Sequence, residues 1–256
     1  MALPPGTLLQ QIHFRRRLRV SGIKDGFFCD VGAGRGHLSN LLLKHGLSGE
    51  GFDLSNEACA ENRLLNRHSI AANRYCVRRE DFMTTNPARR PDIIACSMVL
   101  EHWPEDQVEN FFIRARDLLR PGGLLFIFVP GSPRHWGIED DISGHLRRYT
   151  FDYFAALAPR AGLVIRDLRG LTYPLSNLLL PVSNWLIRRR ESYKLSESVL
   201  ERTISSGVRA VPFKTLFPAW TACVLNEVIL YPFHVLQHLA RRQPASLVIY
   251  CEMGVS

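Results

Sequence analysis

The sequence predicts an α/β fold in which a doubly wound, mostly parallel sheet carries a helical insertion. The first observation is the stretch 27–39, Phe-Phe-Cys-Asp-Val-Gly-Ala-Gly-Arg-Gly-His-Leu-Ser, where an apolar run is closed by alternating glycines and followed by a helical pattern. The second is that apolar runs alternate with helical patterns up to Leu168, which is typical of strand–helix–strand units. The third is the segment 171–244, which separates two strand-like runs by far more than a hairpin loop.

The elements can be placed in order along the chain. Gly46 ends the first helix after the glycines, Ser55 caps the next, and Pro104 precedes a helix with acids first and arginines last. The predicted strands are Gly26–Asp30, Gly49–Asp53, Arg74–Val77, Pro91–Ser97, Leu124–Pro130, Leu163–Leu168 and Ser246–Cys251. The predicted helices are 7–20, 37–45, 55–67, 105–120 and 151–161. We therefore predict an N-terminal helix in 1–22, a core in 23–170 and 245–256, and a helical insertion in 171–244.

Composition restricts the class of protein. The 256 residues are 46% hydrophobic and 22% charged, which is typical of a globular protein with a sizeable core. The formal net charge of +8 is compatible with nucleic acid, an anionic membrane or an anionic substrate. Cys29, Cys76, Cys96 and Cys251 lie in apolar runs without metal-ligand spacing, which favours buried thiols in a reducing cytosol. Because we find neither a secretory signal nor a spanning segment, we expect a cytoplasmic protein.

The glycine-rich stretch is the first candidate site. Gly32, Gly34 and Gly36 permit a tight turn with positive φ, and they let a ligand approach the backbone. The helix that follows offers unpaired N–H groups at its start. A dinucleotide-binding turn would have its third glycine at position 37, where this sequence has His37. We therefore expect the loop to hold a small polar ligand, with a nicotinamide site or a nonspecific loop as the alternatives.

Asp53 is the second candidate. It ends a short strand, where α/β nucleotide sites place a carboxylate that accepts hydrogen bonds from both ribose hydroxyls. The alternative is a helix cap, but Ser55 already fills that position. A ribose-bearing ligand is therefore favoured.

Several segments, in the right order, resemble those of class I S-adenosylmethionine-dependent methyltransferases. They are Asp-x-Gly-x-Gly-x-Gly at 30–36, Glu-Asp-Phe at 80–82, Leu-Glu-His at 100–102 and Leu-Arg-Pro-Gly-Gly at 119–123. The Leu-Glu-His segment is similar to that of the bacterial subgroup of ubiquinone-type small-molecule O-methyltransferases. The resemblance implies a Rossmann-like seven-stranded sheet, S-adenosyl-L-methionine as cofactor and S-adenosyl-L-homocysteine as product. It also implies a set of cofactor-binding residues, in which Asp81 accepts from the adenine amino group and Phe82 lies against the base: Asp30, Gly32, Ala33, Gly34, Asp53, Leu54, Asp81, Phe82, Ser97 and Met98.

Methyl transfer to oxygen or nitrogen needs positioned reactants, and it can also need a general base, for which histidine is the usual residue. The segment 130–149 follows the fifth strand, so we expect it at the ligand-binding edge, and its Gly-His-x-Arg-Arg-Tyr-Thr run resembles a segment of the same subgroup. We predict His145 as the base, with His102 as second choice and Tyr149 facing the acceptor. Predicted acceptor-binding residues are His135, Trp136, Asp140, Asp141, Arg147 and Arg148. The alternative is that the arginines only brace the loop. No metal is expected, an Asp-Asp-His site being the weaker interpretation.

The insertion is apolar and is punctuated by arginines. One apolar face runs from Pro174 to Ile187 and ends in three arginines, a polar stretch follows in 191–206, and a second apolar face, which includes Leu216, lies in 212–242. These faces predict either a cap over a large apolar pocket or a cap that also contacts a membrane surface. Asn226 and Glu227 argue against a spanning helix.

The predicted function is transfer of a methyl group from S-adenosylmethionine to a hydroxyl, or less favourably an amine, of a small molecule with an apolar portion. One alternative is a polar glycan or glycolipid acceptor, and another is a non-catalytic scaffold that has kept the fold. Nucleic acid is not expected as a partner, because Ser-Met-Val-Leu at 97–100 stands where a base-modifying enzyme would carry an Asn/Asp-Pro-Pro-Tyr motif. The acceptor and the oligomeric state stay open.

Overall fold

The computed structural model describes residues 3–196, 202, 211–215 and 217–255. The chain divides into two compact units. The first unit comprises Met1–Val20, Pro130–Thr150 and Arg169–Ile249, and the second comprises Ser21–Val129, Phe151–Leu168 and Tyr250–Ser256. The predicted domain bounds stay a prediction, although the N-terminal helix and the segment after the fifth strand group here with the insertion.

The sheet has seven strands in the order β3-β2-β1-β4-β5-β7-β6, which confirms the predicted fold class. The four pairs that join β3, β2, β1, β4 and β5 are all parallel. The strands are β1 Phe27–Val31, β2 Ser48–Phe52, β3 Tyr75–Arg78, β4 Ile93–Ser97, β5 Leu124–Pro130, β6 Leu163–Leu171 and β7 Val248–Val255. All residues of β1 and β5 are buried, as expected for central strands covered on both faces.

The strand order reverses next to β1, because the chain adds β2 and β3 on one side of it and β4 and β5 on the other. Asp30 stands in register with Gly51 of β2 and Ala95 of β4. The segments that follow β1, β2 and β4 therefore leave the sheet at the same edge. This reversal point is where open α/β sheets bind their ligands.

The helices in chain order are α1 Pro5–Ser21, α2 His37–Lys44, α3 Asn56–Leu65, α4 Arg67–Ala71, α5 Glu105–Leu118, α6 Ile138–Ser143, α7 Phe151–Arg160, α8 Leu175–Glu191 and α9 Glu227–Leu239. Short 3₁₀ turns cover Leu100–His102, Pro133–His135, Ser192–Ser196 and Ala219–Cys223. In the first unit, Leu8 and Leu9 of α1 form a small core with Leu230 of α9. Among the described residues, no helix combines the length and apolar character needed to cross a bilayer.

Two predictions differ from the structure. The segment 130–149 is not all loop, since α6 is a helix of six residues, too short to give a periodic pattern. The second apolar face, predicted in 212–242, contains the 3₁₀ turn Ala219–Cys223 and α9, and Leu216 lies outside the described residues. Cys76 is exposed, whereas Cys29, Cys96 and Cys251 are buried as predicted. Most of the polar stretch 191–206 also lies outside the described residues.

Candidate functional site

The three loop glycines of the second unit all have positive φ, but their surroundings differ. A Cβ atom on Gly32 would lie 2.2 Å from Val99 Cγ2, and one on Gly36 would lie 2.2 Å from Asn62 Oδ1. A Cβ atom on Gly34 would meet no protein atom within 4 Å. Gly32 and Gly36 are therefore required by packing, whereas the backbone of Gly34 faces open space. Gly34 is the position where a ligand can approach the chain.

Asp53 holds the loop from the end of β2. Its Oδ2 accepts a hydrogen bond from the Gly34 N–H at 2.8 Å, and its Oδ1 accepts from the Ser55 N–H at 2.8 Å. The Ser55 hydroxyl oxygen accepts from the Ala58 N–H at 3.2 Å, which confirms Ser55 as the N-cap of α3. A half-buried carboxylate thus lies beside the open face of Gly34. The neighbouring Leu54 side chain is 66% exposed.

A buried chain of polar side chains supports the loop from behind. The Ser39 hydroxyl donates to Asp30 Oδ2 at 2.5 Å and accepts from the Tyr75 hydroxyl at 2.7 Å. The Tyr75 oxygen accepts from Asn62 Nδ2 at 3.1 Å, and Asn62 Oδ1 accepts from Asn66 Nδ2 at 2.8 Å. Asn66 Nδ2 also donates to the carbonyl of Gly36, at 3.2 Å. The network joins β1, β3, α2 and α3 to the last glycine of the loop.

Asp30 is the carboxyl end of this network, and its side chain is buried. Burial raises the pKa of its carboxyl to about 7, and the hydrogen bond from Ser39 opposes that shift. The residue was predicted to contact the cofactor. In the structure the Asp30 carboxylate instead accepts a hydrogen bond from Ser39. Asp30 therefore supports a ligand site by holding the loop in place.

The segment that follows β4 contains a strained residue. Met98 has φ +55, in the left-handed region that side-chain-bearing residues rarely adopt, and its N–H donates to the Phe128 carbonyl at 2.8 Å. Such conformations cost on the order of 1–3 kcal/mol and cluster at ligand sites. Ser97, immediately before it, is half-buried. His102 ends the 3₁₀ turn that follows and is also half-buried.

The two residues predicted to bind adenine, Asp81 and Phe82, have different surroundings. Asp81 Oδ1 accepts from the Met83 N–H at 2.8 Å, which leaves Oδ2 as the oxygen that an amino group would reach. The Phe82 ring is buried, with its centroid 5.3 Å from that of Phe52 and 6.1 Å from that of Phe111. The resemblance implies that both the backbone and the ring of Phe82 lie against the base. Because the ring belongs to the core, the backbone is the part of Phe82 that is open to a ligand.

In the first unit, Asp140 organises the segment after β5. It is fully buried and accepts from the Gly137 N–H at 2.8 Å, from Arg148 Nε at 2.8 Å and Nη2 at 2.9 Å, and contacts His145 Nδ1 at 2.9 Å. Burial alone would raise the pKa of Asp140, but the hydrogen bonds from His145 and Arg148 and the charge of Arg148 together lower it. Asp140 is therefore a carboxylate, and with it as acceptor, His145 carries a proton on Nδ1 and its basic nitrogen is Nε2.

The other predicted residues of this segment have varied surroundings. Arg148 also donates to the Gly131 carbonyl at 3.1 Å, so it braces the loop and is not placed to bind an anionic substrate. Tyr149 is 1% exposed and packs in the core, which favours a structural role over a catalytic one. Trp136 is 43% exposed, and its Nε1–H donates to Asp141 Oδ1 at 2.9 Å. His135 Nδ1 lies 2.8 Å from Ser132 Oγ, and Arg147 is half-buried.

Comparison with known proteins decides the family. The family described as "Methyltransferase domain" matches residues 9–168. The chain is 36% identical over 195 residues to the ubiquinone biosynthesis O-methyltransferase of Coxiella burnetii, an alignment that covers 68% of this chain and 81% of that relative. It is 28% identical over 176 residues to the protein of the same name from Cupriavidus pinatubonensis, covering 62% and 69% of the two chains. The chain belongs to the class I S-adenosylmethionine-dependent methyltransferases.

Solved structures share the fold of this methyltransferase. The magnesium protoporphyrin IX methyltransferase of Synechocystis PCC 6803, with bound S-adenosylhomocysteine, has a TM-score of 0.55 at 18% identity, covering 65% of this chain and 77% of that one. The 1,6-didemethyltoxoflavin-N1-methyltransferase of Burkholderia thailandensis has a TM-score of 0.53 at 21% identity, covering 64% and 72%. These structures confirm the fold, and the family match together with the relative from Coxiella burnetii confirms the predicted family, enzyme class and cofactor.

Features of the second unit fit S-adenosylmethionine. Gly34 leaves open space where a bulky nucleoside can lie against the backbone, and Asp53 brings a carboxylate suited to a cis-diol beside it. What sequence reasoning missed is the support behind the loop, made by Ser39, Asn62 and Asn66. The available signal was the spacing of Asn62, in the last turn of α3, and Asn66, its C-cap, because residues four apart at a helix end lie on the same face.

Proposed function

We propose that this methyltransferase transfers the methyl group to a hydroxyl of a small molecule with an apolar portion. The pair of His145 and Asp140 carries the proposal, since a histidine oriented by a buried carboxylate is the group that an alcohol or phenol needs to lose its proton. When bound, S-adenosylmethionine supplies a methyl group on a positively charged sulfur. The two relatives reported above are named as O-methyltransferases, which supports an oxygen acceptor.

We assign the cofactor to the second unit. Gly32, Ala33 and Gly34 would line the cofactor with backbone, and Asp53 would accept from the ribose hydroxyls. Asp81, with the backbone of Phe82, would receive the adenine, and Leu54 would lie beside it. Met98, with its left-handed backbone, and the preceding Ser97 would contact the part of the cofactor other than its adenine and ribose. His102 is nearby in sequence.

We assign the acceptor to the first unit. Nε2 of His145 would take the acceptor's hydroxyl proton as the oxygen attacks, and Asp140 would stabilise the resulting imidazolium. His135, Trp136, Asp141 and Arg147 remain candidates for binding the acceptor. A polar glycan acceptor is less favoured than the sequence suggested, because Arg148, one of the two arginines that would suit it, is used by Asp140.

The insertion 171–244 is proposed as the acceptor's cap, with a second role at a lipid surface. Helix α8 buries only Ile187 and Glu191 of its side chains and exposes Leu178, Val182 and Trp185 by more than half. Exposed apolar side chains followed by Arg188, Arg189 and Arg190 are typical of interfacial helices. A cytoplasmic enzyme in peripheral contact with a membrane would carry such a surface. Co-sedimentation with vesicles tests this, and equal binding by wild type and Trp185→Ser would argue against it.

The function is tested by measuring S-adenosylhomocysteine release with apolar phenols as first acceptors. We expect turnover in wild type, and a drop in kcat of about 10²–10⁴-fold in His145→Gln with little change in cofactor affinity. His68→Gln is the control, since it removes an exposed histidine of α4 that has no place in the proposed site. Full turnover in His145→Gln would refute the assignment of His145 as the base. Turnover of amines but not of phenols would show that the acceptor atom is nitrogen and not oxygen.

A further inference from the structure

Exposed apolar side chains are concentrated in the first unit. Among the described residues, 23 large hydrophobic side chains are exposed, and 18 of them lie in this unit. Six of these belong to α9 and four to α8. Single exposed apolar side chains are ordinary on protein surfaces, whereas a concentration of them marks an interaction site.

Helix α9 carries its apolar residues on the outside. From position 228 onwards, exposed residues recur at i, i+3, i+4, i+7, i+8 and i+11, which is the spacing of one helix face. These residues form the apolar stripe of α9, which consists of Val228, Tyr231, Pro232, Val235, Leu236 and Leu239. Val228 is 82% exposed and Leu239 is 76% exposed, so the stripe is open at both ends. No lysine, arginine, aspartate or glutamate interrupts it.

Buried polar contacts fix this orientation of α9. Gln237 Nε2 donates to the Leu9 carbonyl at 3.2 Å, and Gln237 Oε1 accepts from the Thr172 N–H at 2.8 Å. Gln237 Nε2 also lies 2.9 Å from Nδ1 of His234, which is buried on the same side of the helix. Rotating α9 to bury its stripe would break these hydrogen bonds and leave buried polar groups unpaired. The outward direction of the stripe is therefore set by the fold.

The charge of the first unit indicates which partner suits the stripe. This unit has 17 Lys and Arg against 7 Asp and Glu, a net charge of +10, whereas the second unit has 15 against 17, a net charge of −2. Because each acid has been counted against a base, this excess does not depend on which ion pairs form. The surplus positive charge and most of the exposed apolar side chains therefore belong to the same unit.

The sequence also places arginines where the two apolar helices end. The exposed arginines at these ends are Arg188, Arg189 and Arg190 for α8 and Arg241 and Arg242 for α9. The guanidinium carbon of Arg189 lies 5.6 Å from the ring centroid of Trp185, which is itself exposed. The acid at the start of α9, Glu227, forms an ion pair with Arg15, which offsets its charge. A bilayer of anionic lipids offers acyl chains and negative phosphates together, which matches apolar helix faces that end in arginines.

We propose that the first unit binds an anionic bilayer, with the apolar stripe of α9 inserted among the acyl chains. The arginines that follow α8 and α9 lie at the lipid phosphates, and the exposed aromatic rings lie at the level of the headgroups. This inference rests on the lipid-surface role proposed above for α8, and it adds the inserted helix and the charge of the partner.

The insertion is tested by co-sedimenting the full chain with vesicles of equimolar phosphatidylcholine and phosphatidylserine. The test variant carries Val228→Ser and Leu239→Ser, and the matched control carries Leu64→Ser and Ile113→Ser, which remove two exposed apolar side chains from helices of the second unit. We expect the partition coefficient to fall at least about ten-fold in the test variant and to stay unchanged in the control. Thermal unfolding checks that both variants are folded, and equal binding by the two would overturn the role of α9.

The charge of the partner is tested with the same vesicles and with vesicles of phosphatidylcholine alone. Replacing Arg188, Arg189 and Arg190 together by glutamine should weaken binding to the anionic vesicles at least about ten-fold, whereas replacing them by lysine, which keeps the charge, should not. Equal binding of wild type to both kinds of vesicle would overturn the anionic partner.

Two further measurements separate this proposal from its alternatives. Sedimentation velocity without lipid identifies a second copy as the partner if wild type is a dimer that the α9 variant dissociates, and this result would overturn the proposal. Loss of vesicle binding in Trp185→Ser but not in the α9 variant would refute the insertion of α9 and leave the lipid role of α8 intact. No vesicle binding by wild type would refute both, while its turnover of a soluble phenol without vesicles reports on methyl transfer separately.

Discussion

Replacing Gly34 by alanine separates ligand binding from folding. The new Cβ meets no protein atom within 4 Å, so the folded chain accepts it without a clash. The remaining cost is the left-handed backbone at φ +51, roughly 1–2 kcal/mol for a residue with a Cβ, reduced by roughly 0.4–1 kcal/mol because alanine has less freedom in the unfolded chain. We therefore expect a loss of stability of about 1 kcal/mol and a fall in Tm of roughly 2–4 °C.

Cofactor affinity should respond much more strongly, because the methyl group would occupy the space that we assign to S-adenosylmethionine. We expect the Kd measured by calorimetry to rise at least about ten-fold. Gly122→Ala is the matched control: its φ is +77, it also has nothing within 4 Å, and it lies in the turn before β5. Gly36→Ala provides the contrast, since its Cβ would lie 2.2 Å from Asn62 and should impair folding itself. Unchanged affinity in a well-folded Gly34→Ala would refute the reasoning.

Three further predictions concern buried polar groups. Burial raises the pKa of Asp30 from 3.8 to about 7, so the free energy of unfolding should fall by about 4 kcal/mol as pH rises across that interval. Denaturant titrations at several pH values measure this dependence, and Asp30→Asn should flatten it. Tyr75→Phe leaves the Asn62 amide without its acceptor and should cost about 1–3 kcal/mol in urea unfolding; a neutral effect would mean that the network contributes nothing. Asp140→Asn breaks a buried pair with Arg148 and should cost about 3–5 kcal/mol, measured in the same way, with a loss below 1 kcal/mol contradicting it.

The fold could be predicted from sequence because its signals are local. The apolar run before the glycines, the Ser55 cap and the Pro-Gly-Gly turn before β5 each specify their element through neighbouring residues. The helix α6 was missed because six residues contain fewer than two turns; in the structure the Gly137 N–H, at its N-terminus, donates to Asp140. The exposure of Cys76 was missed because β3 has only four residues, too few to show in the sequence which side chains alternate between its buried and exposed faces.

The roles of site residues were harder to predict, because they depend on contacts distant in sequence. Gly34 and Gly36 look alike in the sequence, but the side chains of Asn62 and Asn66 crowd the position of a Cβ on Gly36, whereas no protein atom does so at Gly34. Arg147 and Arg148 are adjacent and identical, and the placement of Asp140 alone gives Arg148 a structural task. The inward direction of the Asp30 side chain follows from Ser39, nine residues later.

The position of β7 has a consequence for how this chain is made. In the sheet, β7 lies between β5 and β6, although the ribosome completes β6 long before it reaches β7. While residues 172–247 are being synthesised, the strands from β3 to β5 can already pair in sequence, but β6 has no neighbour in the sheet. Nascent chains that stall within 172–247 would therefore present two unpaired strand edges, on β5 and on β6, and such edges invite pairing with other chains. We expect chaperone dependence during translation to concentrate in this interval, where ribosome-bound chains of increasing length would show it.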